Sequence, residues 1–400
     1  MILGSGIFRT KLPLGFKAGG INCGVRLYRP DLGVIISESP AVTVGVFTQN
    51  QFKAAPVHYC EQCLPSNDIK AIITNSGEAN AATGSEGINN NFLMADTLAK
   101  TLDCYTNQVL TASTGVIGKS LSIEKITHAI PTLVTKTTDI AENFATAILT
   151  TDLVPKAVYK DVDLSLGRVR ITGICKGSGM IHPNMATMLG YLLTDVQLDI
   201  PEAQKWLKEI CDKSFNMISV DGETSTNDCV FLMANGCSKV TLANTDDCTL
   251  FYESLLEVAV TLAKSIARDG EGATKLIEAN VTGAESELQA QTIAKSIITS
   301  SLIKTAIYGE SPNWGRIIAR ISNEAISESM LNRCNISIQG VTLFSAGAPL
   351  AELELSTLKQ LLTKDEVIIN VTFFQGTGKA RAWGCDLTEK YIKINAEYLS

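Results

Sequence analysis

The sequence predicts an α/β protein with a main α/β domain over residues 1–284 and a smaller α+β domain over residues 285–400. Two observations indicate this division. Segments with the periodicity of strands and of helices alternate to about residue 330. Beyond that point, short alternating segments are typical of antiparallel strands around one short helix. Because 400 residues are many for one core and no Pro-rich or low-complexity linker is present, we expect two closely packed domains.

In the first half of the chain, predicted strands end in small polar residues. Residues 15–50 predict short strands, since apolar and β-branched residues alternate there. Residues 71–87 predict a buried strand that runs into a Gly-rich loop before a helix, and residues 109–119 again predict a strand followed by small residues. The next helix should be interrupted or end near Pro131, and the one after it should have Asp139 as its N-cap.

In the second half, two strands flank a glycine-rich turn. Residues 168–176 predict the first strand, and residues 186–199 predict a second one that is apolar enough to be buried on both faces. An amphipathic helix follows with Pro201 in its first turn. The longest predicted helix should end at Gly270. The C-terminal segment 391–400 alternates like a strand.

The composition is that of an ordinary globular protein, with 45% hydrophobic and 19% charged residues. A net charge of -7 and a pI near 5.2 argue against a surface for nucleic acid or anionic membranes, because such contacts need clustered Lys and Arg. No apolar run reaches the roughly 18 residues of a membrane span, and the N-terminal residues lack the pattern of a signal peptide. We therefore expect neither a membrane protein nor a secreted one.

The cysteines and histidines give little sign of a metal site. The eleven cysteines show no repeating spacing, which is typical of proteins kept reduced in the cytoplasm. Cys60 and Cys63 form a C-x-x-C pair that no second pair at zinc spacing follows. With three histidines in the chain, a His-rich metal site or a His-based proton relay is not expected. A hydroxyl nucleophile would therefore need a different base.

The segment CKGSGMIHPNMATML, residues 175–189, contains the most informative pattern. Its glycines allow a tight turn or a close backbone approach, so one interpretation is a surface turn between two buried strands. The other interpretation makes Thr187 a nucleophile. Cleavage of the bond between Ala186 and Thr187 would create a free α-amine, which titrates near ~7.7–8 and can accept the hydroxyl proton. This amine supplies the base that the histidines do not.

A nucleophilic attack on a carbonyl also needs donors for the oxyanion. Backbone N–H groups in a tight turn such as Ser113-Thr114-Gly115 are suitable, and one such donor is worth about 3 kcal/mol. Taken alone, these residues are better explained as a β-turn. The oxyanion hypothesis rests on their combination with Thr187.

Several segments, in the same order along nearly the whole chain, are similar to one known family. They are KGSGMIHPNMATML, STGVIGKSL, AILTTD, VDGETSTND, RDGEGATKLIE, KTAIYGESPNWGRI and AWGCDLTEKYIKINAEYLS. In these segments the chain resembles the ornithine acetyltransferases, also called glutamate N-acetyltransferases, of arginine biosynthesis. The resemblance implies a layered α/β sandwich domain of the N-terminal-nucleophile-like aminopeptidase/esterase type, followed by the smaller C-terminal α+β domain.

The resemblance also implies an activity and an assembly. The chain would cleave itself between Ala186 and Thr187, and chains 1–186 and 187–400 would remain together as an α2β2 assembly in the cytoplasm. Thr187 would take the acetyl group from N2-acetylornithine, release ornithine and pass the acetyl group to glutamate. No metal and no organic cofactor would be required. The resemblance leaves open whether acetyl-CoA is also an acetyl donor.

Transferred residue by residue, the family's oxyanion pair falls on Thr114 and Gly115. Its substrate-binding positions fall on Thr150, Lys176, Thr187, Glu271, Asn395 and Ser400. Both substrates carry an α-carboxylate, which a lysine and hydroxyl or amide donors bind well. For Glu271 two roles stay open, binding the ornithine ammonium or orienting the Thr187 amine. His182 and the C-terminal Ser400 differ from the usual family residues, and we assign His182 no catalytic role.

Two other hypotheses make different predictions. An N-terminal-nucleophile amidase or aminopeptidase would share the threonine chemistry but pass the acyl group to water. An uncleaved metabolite-binding or scaffold protein would stay one chain of about 43 kDa and would show no turnover. Lys176, Glu271 and the pair Asn395 and Ser400 favour a charged amino-acid acceptor over water.

Overall fold

The computed structural model describes residues 10–182, 188–324, 326–350 and 355–397. Within these residues the chain forms two mixed β-sheets, one of eight strands and one of seven, with helices packed against them. The α/β class predicted from the sequence is confirmed. The division between residues 284 and 285 stays a prediction.

The first sheet comes mostly from the first 234 residues of the chain. Its described strands are β1 (Phe16–Ile21), β2 (Leu32–Phe47), β3 (Ser66–Glu78), β4 (Val109–Val116), β5 (Lys156–Leu164), β6 (Gly167–Lys176), β7 (Leu189–Thr194) and β9 (Cys229–Ala234). They lie in the order β4-β3-β2-β9-β7-β6-β5, and β1 pairs with β2. β7 is buried along its whole length between β6 and β9, as its apolar sequence predicts.

The described strands of the second sheet are β8 (Ile218–Ser219), β10 (Leu276–Ala284), β11 (Asn335–Ile338), β12 (Val341–Ser345), β13 (Ala348–Pro349), β14 (Glu366–Thr372) and β15 (Gly378–Cys385). They lie in the order β13-β12-β11-β14-β10-β15-β8. β10 pairs in parallel with β14 and antiparallel with β15. Because β8 is so short, it pairs with β15 only at Trp383 and Gly384.

Helices connect and cover the strands. Those before β10 are α1 (Ala55–Cys63), α2 (Gly84–Thr101), α3 (Ile123–Thr135), α4 (Glu142–Ala147), α5 (Ile200–Lys213) and α6 (Thr245–Arg268). Those after β10 are α7 (Glu287–Thr299), α8 (Ser301–Tyr308), α9 (Trp314–Ile321), α10 (Glu328–Leu331), α11 (Leu355–Leu361) and α12 (Glu389–Glu397). In the parts of the chain that are described, no helix combines the length and apolar character that crossing a membrane requires.

Two predictions about helix ends in the first half are wrong. α3 runs through Pro131 to Thr135, because buried apolar residues on both sides of the proline hold the last turn against the core. Asp139 does not cap α4, whose N-cap residue is Ala141. Instead, the carbonyl of Asp139 accepts the N–H of Leu12 at 2.9 Å, which keeps this part of the chain in an extended pairing.

Other differences lie in the second half. α6 is the longest described helix, as predicted, but it ends at Arg268 rather than at Gly270. Four helices follow β10 in succession, where further alternation with strands was expected. Residues 391–397 form part of α12 rather than a strand, because both oxygens of Thr388 accept the N–H of Tyr391 and start a helical turn there.

α6 packs against both sheets, and it lies close to Gly173 of β6. A Cβ atom built on Gly173 would lie 2.6 Å from both Leu262 and Val258, so only a glycine lets the helix lie this close to the strand. Buried residues of α6 belong to one core that also includes Ile171 of the first sheet and Ile369 of the second. This helix therefore joins the two sheets through a continuous apolar core.

We expect Leu262→Ala to lower the free energy of unfolding by roughly 2–5 kcal/mol, because the deletion leaves a cavity where α6 meets β6. Leu250→Ala in the same helix is the matched control. Leu250 is 43% exposed, so its truncation should change stability by less than about 1 kcal/mol. Urea denaturation followed by circular dichroism measures both, and equal losses would contradict the joining role of α6.

Candidate active site

Six of the residues singled out in the sequence come together around one cavity of about 290 Å³. They are Thr114, Gly115, Thr150, Lys176, Glu271 and Asn395. Their separation along the chain reaches 281 positions, so the fold alone brings them together. Ala186, Thr187 and Ser400 lie outside the described residues. What each of the six does stays a prediction.

The cavity lies where β4 and β6 end. Lys176 is the last residue of β6, it is 3% exposed, and its Nζ donates to Oγ1 of Thr114 at 3.3 Å. Burial lowers the pKa of Lys176, and the nearby carboxylate of Asp152 opposes that shift only in part. A buried lysine whose charge the neighbouring carboxylates offset only in part gains from an anionic ligand more than a solvated one does.

Gly115 fills a position that no other residue fits. Its φ of +135° lies outside the range that side chains tolerate, and the pairing of β3 with β4 is irregular beside it, at Gly77 and Glu78. A Cβ atom built on Gly115 would lie 2.3 Å from the carbonyl carbon of Gly77 and 2.6 Å from the nitrogen of Glu78. The end of β4 can therefore turn toward the cavity only with glycine here.

A buried ion-pair network underlies one side of the cavity. Nζ of Lys156 lies 2.7 Å from Oδ1 of Asp152 and 2.6 Å from Oδ2 of Asp269, with all three side chains almost completely buried. Burial disfavours the charged form of each of these three side chains. The two carboxylates nevertheless leave the pKa of Lys156 raised, and the charges of Lys156 and Lys176 leave that of Asp152 lowered. Burial dominates at Asp269, whose pKa is raised despite Lys156.

The same network holds the loops that carry the predicted residues. Asp152 accepts the N–H of Gly177 at 2.7 Å and that of Thr150 at 3.1 Å. The carbonyl of Asp269 accepts the hydroxyl of Ser178 at 2.7 Å. The loop at Thr150 and the turn after Lys176 are thus tied to the residues of the buried ion-pair network.

Glu271 joins the cavity to the C-terminal helix. Its N–H donates to the carbonyl of Ser178 at 2.9 Å, and Asn395 of α12 donates from Nδ2 to its Oε2 at 2.9 Å. A Cβ atom on Gly179 would lie 2.4 Å from the Glu271 carboxyl group. The glycine in the turn therefore makes room for the carboxylate.

Asn227 and Asp228 stand in the VDGETSTND motif but were not among the predicted site residues. Asn227 lines the cavity and donates from Nδ2 to the carbonyls of Ala79 and Ser113. Asp228 is buried, and its Oδ1 accepts the N–H of Met188 at 2.8 Å. Burial raises the pKa of Asp228 well above its usual range, against the influence of Met188 and of Lys176. A polar run directly before a buried strand was the available signal.

The described residues contain no group of three or more His, Cys, Asp or Glu side chains arranged to hold a metal ion. His182 is half-buried, with Nδ1 lying 3.2 Å from Oγ of Ser219, and burial lowers its pKa. The chemistry that the described residues offer is therefore that of a lysine, a carboxylate, amides and hydroxyl groups around a small cavity.

Comparison with known proteins matches nearly the whole chain. The model of the family described as the ArgJ family matches residues 17–400. The arginine biosynthesis bifunctional protein ArgJ of Bacillus subtilis (strain 168) is 47% identical over 389 residues, which cover 96% of this chain and 95% of that protein. The protein of the same name from Thermosynechococcus vestitus is 43% identical over 403 residues, covering 96% of each.

A solved structure of a protein with the same name is similar to part of this chain. The crystal structure of the arginine biosynthesis bifunctional protein argJ from Bacillus halodurans aligns with a TM-score of 0.51 at 42% sequence identity. The alignment covers 53% of this chain and 100% of that one. The likeness therefore extends from sequence to the arrangement of the backbone.

We expect Gly115→Ala to destabilise the protein more than Gly118→Ala does. Both glycines have positive φ, but a Cβ on Gly118 would have nothing within 4 Å, whereas one on Gly115 would overlap the backbone of β3. Gly118→Ala should cost about 1 kcal/mol of unfolding free energy, the usual cost of that backbone conformation. Gly115→Ala should cost at least about 1 kcal/mol more. Equal costs in urea denaturation would contradict the close approach of β4 to β3.

We expect Asp228→Asn to remove a loss of stability that the protein shows as the pH rises. The pKa of Asp228 is raised on folding, so above the unfolded value of 3.8 the folded state binds more protons than the unfolded one. Stability is therefore fully present below that pH and decreases as the pH rises toward the folded pKa. Asn keeps an acceptor for the Met188 N–H but does not titrate.

The free energy of unfolding, measured by urea denaturation between pH 4 and 8, tests this. The difference in favour of Asp228→Asn should grow with pH by ~1.4 kcal/mol for each unit over which only the unfolded state is ionised. A constant difference across the pH range would rule out a protonated, buried Asp228.

Proposed function

The chain belongs to the ArgJ family of arginine biosynthesis, and we propose that it is a self-cleaving acetyltransferase that moves the acetyl group from N2-acetylornithine to glutamate. The observation that supports this most is the cavity, where Lys176, Glu271 and Asn395 meet the end of β4. A lysine and a carboxylate facing one small cavity suit amino-acid substrates, which carry both charges.

Self-cleavage would begin at the bond between Ala186 and Thr187. The Thr187 hydroxyl attacks the Ala186 carbonyl carbon, the C–N bond breaks, and the Thr187 nitrogen takes up the proton. The resulting ester is hydrolysed by water to the carboxylate of Ala186 and the free hydroxyl of Thr187. Thr187 is then the first residue of chain 187–400, with an α-amine beside its hydroxyl.

Acetyl transfer would use the same hydroxyl twice. The α-amine accepts the Thr187 hydroxyl proton as the oxygen attacks the acetyl carbonyl of N2-acetylornithine, and ornithine leaves with that proton on its amine. The amine of glutamate then attacks acetyl-Thr187, which gives N-acetylglutamate and restores the hydroxyl. In both halves we assign the oxyanion to the backbone N–H groups of Thr114 and Gly115.

The binding roles follow from charge and position. Lys176 would bind the α-carboxylate that acetylornithine and glutamate share, with Thr150 and Asn395 as polar neighbours, and Ser400 would add a hydroxyl. Glu271 would bind the side-chain ammonium of ornithine or hold the Thr187 amine. Glutamate has no side-chain ammonium, so replacing Glu271 by Gln should raise the KM for acetylornithine alone if the first role applies.

The pairing of strands in the first sheet supports a protein whose two chains stay together after cleavage. Lys176 of β6 is paired with Leu189 of β7, and β7 is also paired with β9. Chains 1–186 and 187–400 would therefore contribute neighbouring strands to one buried sheet. We propose that they stay associated as an α2β2 assembly in the cytoplasm, without a metal or an organic cofactor.

Intact mass and N-terminal sequencing of the purified protein, with a product assay by NMR, test the proposal. Two fragments, the second beginning Thr-Met-Leu-Gly, and conversion of acetylornithine plus glutamate into ornithine plus N-acetylglutamate are expected. Free acetate as the main product would indicate the amidase instead, and one intact, inactive chain would indicate a binding protein. Adding acetyl-CoA in place of acetylornithine decides whether a second donor is used.

We expect Thr187→Ala to abolish both cleavage and acetyl transfer, because it removes the only oxygen that attacks in either step. Thr187→Ser is the matched control, since it keeps the hydroxyl and should cleave and transfer at a reduced but measurable rate. Gel electrophoresis after expression and the NMR assay report the two steps separately. A cleaved, active Thr187→Ala protein would exclude Thr187 as the nucleophile.

A further inference from the structure

A second cavity, of about 610 Å³, lies against the second sheet and shares no lining residue with the first one. Its walls come from the end of α5, the one-turn 3₁₀ helix Phe215–Met217, α6, the start of α7 and the strands β10, β14 and β15. It exists because β8 reaches only Trp383 and Gly384, so the outer edge of β15 before Trp383 has no described partner strand. Cavities of this size accommodate small-molecule ligands.

The cavity has an excess of positive charge. Lys213, Lys379 and Arg381 line it, against the single acidic side chain of Glu287. Among the described residues, none of the three cations is within 4 Å of a carboxylate: Lys213 donates to the hydroxyl of Tyr252 at 3.4 Å, and Arg381 lies over the Trp383 ring. In a chain of net charge -7, such a cluster concentrates anions locally.

The sheet side of the cavity adds neutral hydrogen-bonding groups. Asn280 of β10 donates from Nδ2 to Oδ1 of Asn370 on β14 at 3.1 Å. Oδ1 of Asn280 is buried and has no hydrogen-bond partner within the described part of the chain. Thr282 lies two residues further along the same strand and also lines the cavity. Since a buried acceptor without a partner costs free energy, a ligand with an O–H or N–H group would be favoured here.

The opposite wall is apolar. Met217, Leu256 and Val260 line it, and the last two belong to α6. A ligand that satisfies the whole cavity therefore has negative groups at one side, a hydrogen-bond donor toward Asn280, and a carbon skeleton against α6.

We propose that this cavity is a second binding site, for a small organic polyanion that carries carboxylate or phosphate groups. Cross-strand neighbours set its geometry: Arg381 is paired with Asn280 and Lys379 with Thr282, so cation and polar group alternate along two adjacent strands. The site does not depend on the acetyltransferase chemistry of the first cavity. A bound anion would contact the helix that leads, through Asp269, to that first cavity.

Isothermal titration of the purified protein with citrate, and separately with pyrophosphate, at constant ionic strength tests the proposal and distinguishes the two anion classes. We expect saturable binding of at least one probe. Arg381→Met and Lys379→Met should each weaken it at least tenfold, because each removes a charge-assisted hydrogen bond while keeping an aliphatic side chain. If one of these two variants does not fold, the other still tests whether the cavity binds the anion.

Two controls locate the binding. Lys136→Met, at an exposed lysine that lines neither cavity, should leave the affinity within twofold of the wild type. Lys176→Met should also leave the affinity for the probe unchanged, because Lys176 lines the first cavity and not the second. A loss of affinity in this variant would show that the probe binds in the first cavity. The absence of binding with both probes, or equal binding by wild type and both cavity variants, would overturn the proposal.

Discussion

The buried ion pairs that Lys156 forms with Asp152 and Asp269 are the interaction on which the first cavity depends. Removing one partner from such a network leaves an uncompensated buried charge, which typically costs about 3–5 kcal/mol. The three residues come from the start of β5, the loop before it and the end of α6. Through Asp152 and Asp269 they hold the loop at Thr150 and the turn after Lys176. The shape of the cavity is therefore set by charge pairing beneath it.

This arrangement also explains how Lys176 is left available to a ligand. Asp152 is already engaged by Lys156 and by the N–H of Gly177, so it lowers the electrostatic cost of a second nearby cation without forming an ion pair with it. Among the described residues, Lys176 has the Thr114 hydroxyl as its hydrogen-bond partner. The positive charge of Lys176 is thus offset only in part by the carboxylates around it.

The sequence predicted well what depends on local pattern and poorly what depends on distant contacts. α6 and β7 were recognisable because their apolar residues follow one periodicity over many positions. The alternation in Tyr-Ile-Lys-Ile gave a strand where Thr388 starts a helix, since a single capping contact decides the outcome. Lys156 and Asp269 are 113 positions apart, and nothing in either neighbourhood marks them as partners. Four of the six cavity residues, Thr150, Lys176, Glu271 and Asn395, were given a site role only through motif resemblance, which carries tertiary information that periodicity does not.

Asp228 connects the fold to the proposed cleavage. In the chain before cleavage its carboxyl group is buried, accepts the Met188 N–H and has its pKa raised, so burying it ionised would be unfavourable. Cleavage before Thr187 would create an α-amine only a few covalent bonds from the Met188 nitrogen. Acetyl transfer needs this amine in its neutral form, because it accepts the Thr187 hydroxyl proton. A protonated Asp228 carries no negative charge that would hold the amine as an ammonium, so the raised pKa of this carboxyl group would keep the new N-terminus available as a base.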